Sequence, residues 1–184
     1  MKKFLIIAAL LVIGAAIWFV SSYNGLVNDS ESVNNAWAQV DNVLKRRADL
    51  IPNLVQTVKG YAEHEKEVFT QLAEARAALG GAKTVKDKIS AAGAMDGALS
   101  RLLVVVENYP NLKADASFMS LQAELSGTEN RIAVERMRYN DMVKQYNLKT
   151  RRFPTKVAAA LFGFAQAEYY NVPEKDKAVP EVKF

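Results

Sequence analysis

The 184-residue chain has no cysteine, one histidine and five prolines, and its 24 basic residues nearly match its 20 acidic ones. The missing cysteine excludes disulfides, thiolate metal sites, a cysteine nucleophile and a lipid-modified cysteine. The single histidine, His64, starves a histidine-based zinc site of ligands: the metalloprotease helix needs a second histidine at i+4, where Val68 stands. Gly-x-Ser-x-Gly and Gly-x-x-x-x-Gly-Lys do not occur, which removes the nucleophile elbow and the phosphate loop. A charge excess is lacking as well. Without the first 20 residues, 22 Lys and Arg face 20 Asp and Glu, too even for a surface built to grip nucleic acid. No alternating strand pattern is present. These gaps predict a non-enzyme that needs no cofactor and no metal and takes no nucleic acid as partner.

What is present begins with a run of 17 uncharged residues, Phe4 to Val20, behind Lys2 and Lys3. As a helix it spans about 25 Å, the short end of a bilayer core. It reads as a retained transmembrane anchor over residues 1–21. The alternative is the apolar core of a cleaved signal peptide. Against that, Val20-Ser21-Ser22 is a mediocre cut site, and Trp18-Phe19 resembles an interfacial belt. Lys2 and Lys3 flank one end, and no Lys or Arg follows the other until Lys45. Positive-inside logic therefore predicts a single-pass protein of the cytoplasmic (inner) membrane, its amino terminus cytoplasmic and its body on the periplasmic or extracellular side.

From Val33 to Leu79 a seven-residue repeat runs almost unbroken. One row is Val33, Val40, Arg47, Leu54, Tyr61, Val68 and Ala75; the other is Trp37, Leu44, Ile51, Val58, Glu65, Leu72 and Leu79. Such rows form an apolar seam on one helix face. The seam keeps its phase across Pro52, which predicts one helix over about 28–79, kinked at Pro52 rather than broken. Gly80-Gly81 ends it, and Thr84 with Asp87 resembles a capping box opening a second helix over 85–108. A third helix over 115–150 repeats Phe118, Leu125, Ile132, Tyr139 and Tyr146, and Phe153-Pro154 ends it. A short fourth helix is expected over 155–164, then an irregular tail over 168–184. The predicted fold is all-α: an antiparallel bundle of three long helices plus a short C-terminal helix (residues 22–167), behind one N-terminal transmembrane helix.

Lys45-Arg46-Arg47-Ala48-Asp49-Leu50-Ile51-Pro52-Asn53-Leu54-Val55, continuing to Gly60-Tyr61 and His64-Glu65, resembles the signature of the LemA family. So do Glu107-Asn108-Tyr109-Pro110, Leu112-Lys113-Ala114, Phe118, Leu121-Gln122, Gly127 through Ala133, Tyr139-Asn140, Tyr146-Asn147 and Phe153-Pro154. The resemblance covers nearly the whole chain from Ser22. Asp115 departs from the Asn expected after the Lys-Ala pair. The resemblance implies a bacterial single-pass membrane protein with a helical bundle, and it imports no activity. Relatives in the family include a magnetosome-membrane protein, and members stand beside membrane metalloproteases. Both associations point toward membrane organisation or quality control.

Charged residues interrupt the seams. If the first and third helices run the same way with level ends, Leu79 falls beside Thr150 and Glu65 beside Arg136. That predicts a register-fixing polar layer of Arg47, His64, Glu65, Arg131, Glu135 and Arg136, with Arg101 in reach. A second cluster, Lys149, Arg151, Arg152 and Lys156, surrounds the Phe153-Pro154 turn; in an up-down-up bundle it is expected far from the anchoring bilayer. Small residues at 158–160 beside Phe162 and Phe164 suit burial against another subunit, which predicts homo-oligomerisation. The function expected is a non-catalytic membrane-anchored scaffold or interaction protein of the cell envelope. Its partners are then membrane lipid through the N-terminal helix, its own copies, and a membrane protein. The alternative is a lipid-contacting, membrane-organising or envelope-stress factor working beside a membrane protease.

Overall fold

Gly60, and not Pro52, ends the first helix. The computed structural model describes residues 1–62 and 64–171. Its helices are α1 (Lys2–Lys59), α2 (Lys66–Gly81), α3 (Val85–Val106), α4 (Pro110–Lys113), α5 (Ala116–Arg151) and α6 (Thr155–Phe162). The described residues contain no strand. The architecture is all-α with an apolar N-terminal helix, as the repeats predict. The helix expected over 28–79 is instead two, and most of the expected tail, residues 172–184, lies outside the described residues.

Pro52 lies within α1. Its ring nitrogen has no hydrogen for the carbonyl of Ala48 one turn back. Arg76 of α2 fills that place, its Nε donating to the Ala48 carbonyl oxygen at 3.1 Å. The bond that proline removes locally is thus returned from a neighbouring helix. At Gly60 the chain turns: the N–H groups of Tyr61 and Ala62 both donate to the Val58 carbonyl at 3.0 Å. Glycine is the residue a helix interior tolerates least after proline. Val58 before the turn and Leu72 after it are both fully buried, so the heptad rows hide the break by staying in phase across it.

The Pro52–Arg76 relation gives a double-mutant prediction. Arg76→Met leaves the Ala48 carbonyl without its donor and is expected to cost about 1 kcal/mol in chemical denaturation. In a Pro52→Ala background the residue 52 N–H supplies the bond, and the same change is expected to cost clearly less. Equal costs in both backgrounds contradict the relation.

Local signals set the other ends. Thr84 Oγ1 accepts the Asp87 N–H at 3.1 Å and opens α3. Pro110 pre-sets the first turn of α4. Asp115 Oδ1 accepts the Phe118 N–H at 2.9 Å and caps α5. Asp and Asn are equally good at that position, so the departure from the family's Asn keeps the cap.

The described chain divides into two compact units. The first, Gln39–Arg136 with Tyr170 and Asn171, is a bundle of four long helical segments from α1, α2, α3 and α5. Within it α1 and α2 are antiparallel: Arg76 meets Ala48, and the Lys59 Nζ sits 5.5 Å from the Phe69 ring centre. α1 and α3 run the same way, since Asp41 pairs with Lys88 and Arg47 with Asp96. α5 runs against α1, with Arg46 to Glu124 at 3.0 Å and Tyr61 to Asp115 at 3.0 Å. Val40, Leu44, Ile51, Leu54 and Val58 line the inner face of α1. Each buried aliphatic side chain of this kind contributes about 1.5–3 kcal/mol over exposure. The parallel alignment assumed for the first and third helices is therefore corrected. The extra reversal at Gly60 makes the order up, down, up, down.

The second unit joins Met1–Ala38 to Met137–Tyr169. Asp29 pairs with Lys149 at 2.7 Å, and the Trp37 and Tyr139 rings meet edge to face at 5.3 Å, so the helices are antiparallel here too. The Phe153–Pro154 peptide is cis. α6 folds back on α1, burying Ala158 and Ala159 against Leu26, with Phe19 and Phe164 packed alongside. Gly163 ends α6 at φ 75°, a conformation that favours glycine. The Phe164 N–H then reaches the Ala159 carbonyl at 2.9 Å, which turns the Phe164 ring back onto α1.

α1 and α3 are both long and apolar enough to cross a membrane by length and composition. α3 turns Ala91, Ala92, Met95, Leu99 and Leu102 inward and packs on α2. The apolar window of α1 has no buried residue.

Candidate functional site

Among the described residues of the four-helix unit, Arg47 is the buried charge. Its side chain is only 11 % exposed, and one guanidinium nitrogen reaches Asp96 at 2.6 Å and Glu129 at 2.7 Å. It thereby ties α1 to α3 and α5. The structure does not gather the seven residues of the expected layer. Glu65 accepts from the Tyr109 hydroxyl at 3.2 Å, Arg101 donates to Gln71, and His64 and Arg131 are exposed. Arg136 lies 4.4 Å from the centre of the Tyr170 ring, and Glu135 is half-buried. Antiparallel α1 and α5 set Arg47 opposite Glu129 and leave Glu65 near the start of α5, away from Arg136. Burial, first, raises the Tyr170 hydroxyl above its ordinary range, and the Arg136 charge opposes that shift.

Tyr139, Tyr146 and Asn147 occupy seam positions, yet their polar ends hold the chain that follows α6. The Tyr139 hydroxyl donates to the Glu168 carbonyl at 2.7 Å and the Tyr146 hydroxyl to the Ala165 carbonyl at 2.8 Å. Asn147 pairs with the Ala167 backbone twice, giving its amide N–H to the carbonyl and taking the backbone N–H, both at 2.9 Å. Residues 165–168 have no regular structure of their own, so these three side chains satisfy their backbone.

Asp115 carries the clearest acid-side response. The hydrogen bond from the Phe118 N–H, and then that from Tyr61, hold its carboxyl below the usual range. A lowered carboxyl contributes stability that is present above the ordinary pKa of about 3.9 and is lost as pH falls through the lower folded value. Asp115→Asn keeps the capping oxygen and does not titrate. Wild type is expected to be the more stable near neutrality, and the gap to close below about pH 4 in thermal melts. A gap that persists unchanged into acid contradicts this assignment.

The other expected cluster lies beside α1. Phe162 meets Phe19 at 5.6 Å and Tyr23 at 4.8 Å between ring centres, and Phe164 meets Tyr23 at 5.8 Å. These contacts set α6 against the first turns after the apolar run, which corrects its expected distance from the anchor. Ala158, Ala159 and Phe164 pack against this chain's own α1, while Ala160 and Phe162 of the same expected face are exposed. Lys149 is taken by Asp29, while Arg151, Arg152 and Lys156 are exposed. Exposed too are Phe153 (84 %), Val157 (51 %) and Leu161 (69 %). Sequence spacing missed Phe19 and Tyr23 as partners of α6, because nothing local joins residue 19 to residue 162.

The recesses are open ones. One of about 820 Å³, along the end of α1 and the outer face of α2, is lined among the described residues by Glu74 beside Lys59 and Lys66. Another, of about 500 Å³, contains Asp41 and Asp49 with Lys45, Arg76 and Lys88, but Asp41 pairs with Lys88 and Arg76 is held by Ala48. Among the described residues no group of three or more His, Asp or Glu side chains could hold a metal ion.

An apolar N-terminal helix of membrane length and an all-helical body define the class of protein. The chain belongs to the LemA family, which it matches over residues 36–184. It is similar to magnetosome protein MamQ 2 of Paramagnetospirillum magneticum, 25 % identical over 196 residues, covering 91 % of this chain and 71 % of that protein. Magnetosome protein MamQ of Magnetospirillum gryphiswaldense is 23 % identical over 193 residues, with the same coverage. Protein LemA of Metamycoplasma hominis is 25 % identical over 173 residues, covering 93 % of this chain and 77 % of the relative.

Proposed function

We propose that the protein is a non-catalytic, membrane-anchored interaction scaffold of the bacterial cell envelope that assembles with its own copies. Residues 1–21 span the cytoplasmic membrane with Lys2 and Lys3 inside, and the body stands on the outer side. The observation that carries this reading is the continuity of α1. The helix that supplies the apolar run also supplies Val40, Leu44, Ile51 and Leu54 to the bundle core. The exposed Leu103 and Val104 of α3 offer an apolar face to another copy or a membrane protein.

Two measurements test it. Light scattering on the detergent-extracted chain is expected to give a multiple of the monomer mass, and a clean monomer contradicts self-assembly. A Ser100→Cys variant is expected to react with an impermeant maleimide from outside intact spheroplasts; labelling only after lysis reverses the orientation. A second reading, a lipid-contacting membrane organiser beside a membrane protease, is favoured by one observation: the apolar residues of α6 face outward beside basic ones.

A further inference from the structure

We infer that α6 and the turn before it form a second membrane contact, in which Phe153, Val157, Ala160 and Leu161 enter the headgroup–acyl boundary while Arg151, Arg152 and Lys156 bind phosphates of acidic phospholipids. This rests on the anchor reading of Phe4–Val20. Position comes first: the ring contacts of Phe162 and Phe164 with Phe19 and Tyr23 put α6 at the level where the apolar run ends. Trp18, in edge-to-face contact with Phe19, belongs to the same level, where aromatic side chains favour a bilayer interface.

The face is the second point. Residues 157, 160 and 161 lie on one stripe of α6, Phe153 stands in the turn before it, and all four are exposed. The inward side of α6 is already filled, by Ala158 and Ala159 on Leu26. A helix at a water surface turns polar residues outward; this one turns out phenylalanine, valine and leucine. Charge is the third. No acid occurs between Asp141 and Glu168, and with Lys149 committed to Asp29 three cations remain beside the stripe. An apolar stripe flanked by cations fits an interface carrying anionic lipid. A second copy docked face to face brings the same three cations against each other, which disfavours that occupant.

The native chain has no cysteine, so single-cysteine variants of the full chain report the contact directly. Leu161→Cys, Val157→Cys, Leu11→Cys and Ser100→Cys, each with an environment-sensitive fluorophore, are placed in nanodiscs of phosphatidylcholine with or without phosphatidylglycerol. The label at 161 or 157 is expected to be quenched by nitroxide lipids and to be several-fold less accessible to aqueous iodide than that at 100. Arg151→Gln and Arg152→Gln are expected to lower the docked-to-undocked ratio by about fivefold each in the acidic discs. If 161 and 157 are as open to iodide as 100 while 11 is lipid-quenched, the contact is wrong and the anchor stands. If 11 itself is open to iodide, the anchor reading fails. Protection of 161 from iodide and from lipid quencher alike means that protein covers the stripe, and an unchanged ratio in the arginine variants removes the phosphate sites; either result overturns the inference.

Discussion

Arg47→Ala is expected to destabilise the bundle by about 2 kcal/mol, a fall of roughly 4–8 °C in thermal midpoint for a chain of this size. The guanidinium is nearly buried, whereas the two carboxylates it holds are about half exposed. Asp96 and Glu129 therefore regain water when Arg47 is removed, and the loss falls mainly on the tie between three helices and on the packing of the side chain's stem. The same asymmetry predicts a graded series. Asp96→Asn or Glu129→Gln alone leaves the guanidinium one carboxylate, and each is expected to cost about 1 kcal/mol. An Arg47→Ala variant within about 0.5 kcal/mol of wild type shows that the tie carries no stability.

Asn147→Leu is the second large change, about 2 kcal/mol. Its amide is the partner of both the N–H and the C=O of Ala167. Leucine fills similar volume and leaves both backbone groups unmatched. The effect is also local: residues 165–168 are expected to lose hydrogen-exchange protection before α5 does. Tyr146→Phe removes one hydroxyl from the Ala165 carbonyl and is expected to cost about half as much. Unchanged exchange at 165–168 in Asn147→Leu means that other contacts hold the segment.

Much of the fold is legible in the residue pattern, because helical seams and helix ends are local. The apolar run, the Thr84 cap, the Gly80-Gly81 stop and the stop at Phe153-Pro154 all depend on neighbours within a turn. The break at Gly60 is not legible from periodicity, since Val58 and Leu72 keep the rows in step across it. That one reversal decides the direction of every later helix. With it missing, α5 is set parallel to α1, Arg47 loses Glu129 as a partner, and the basic cluster at 149–156 is sent to the wrong end. The polar partners are long-range in sequence and occupy unremarkable positions: Asp96 sits in a run of small residues, and Glu129 flanks a seam threonine. Tyr139 and Tyr146 were legible as seam aromatics. Their hydroxyl bonds were not, because the acceptors are backbone carbonyls of a segment without periodicity.

The antiparallel pairing of α1 with α5 is tested most directly by thiol cross-linking in the cysteine-free chain. A short bis-maleimide is expected to join an Arg46→Cys, Glu124→Cys pair efficiently and to leave a Glu65→Cys, Arg136→Cys pair unjoined. Efficient joining of 65 to 136, with none between 46 and 124, would mean that the two helices run in the same direction.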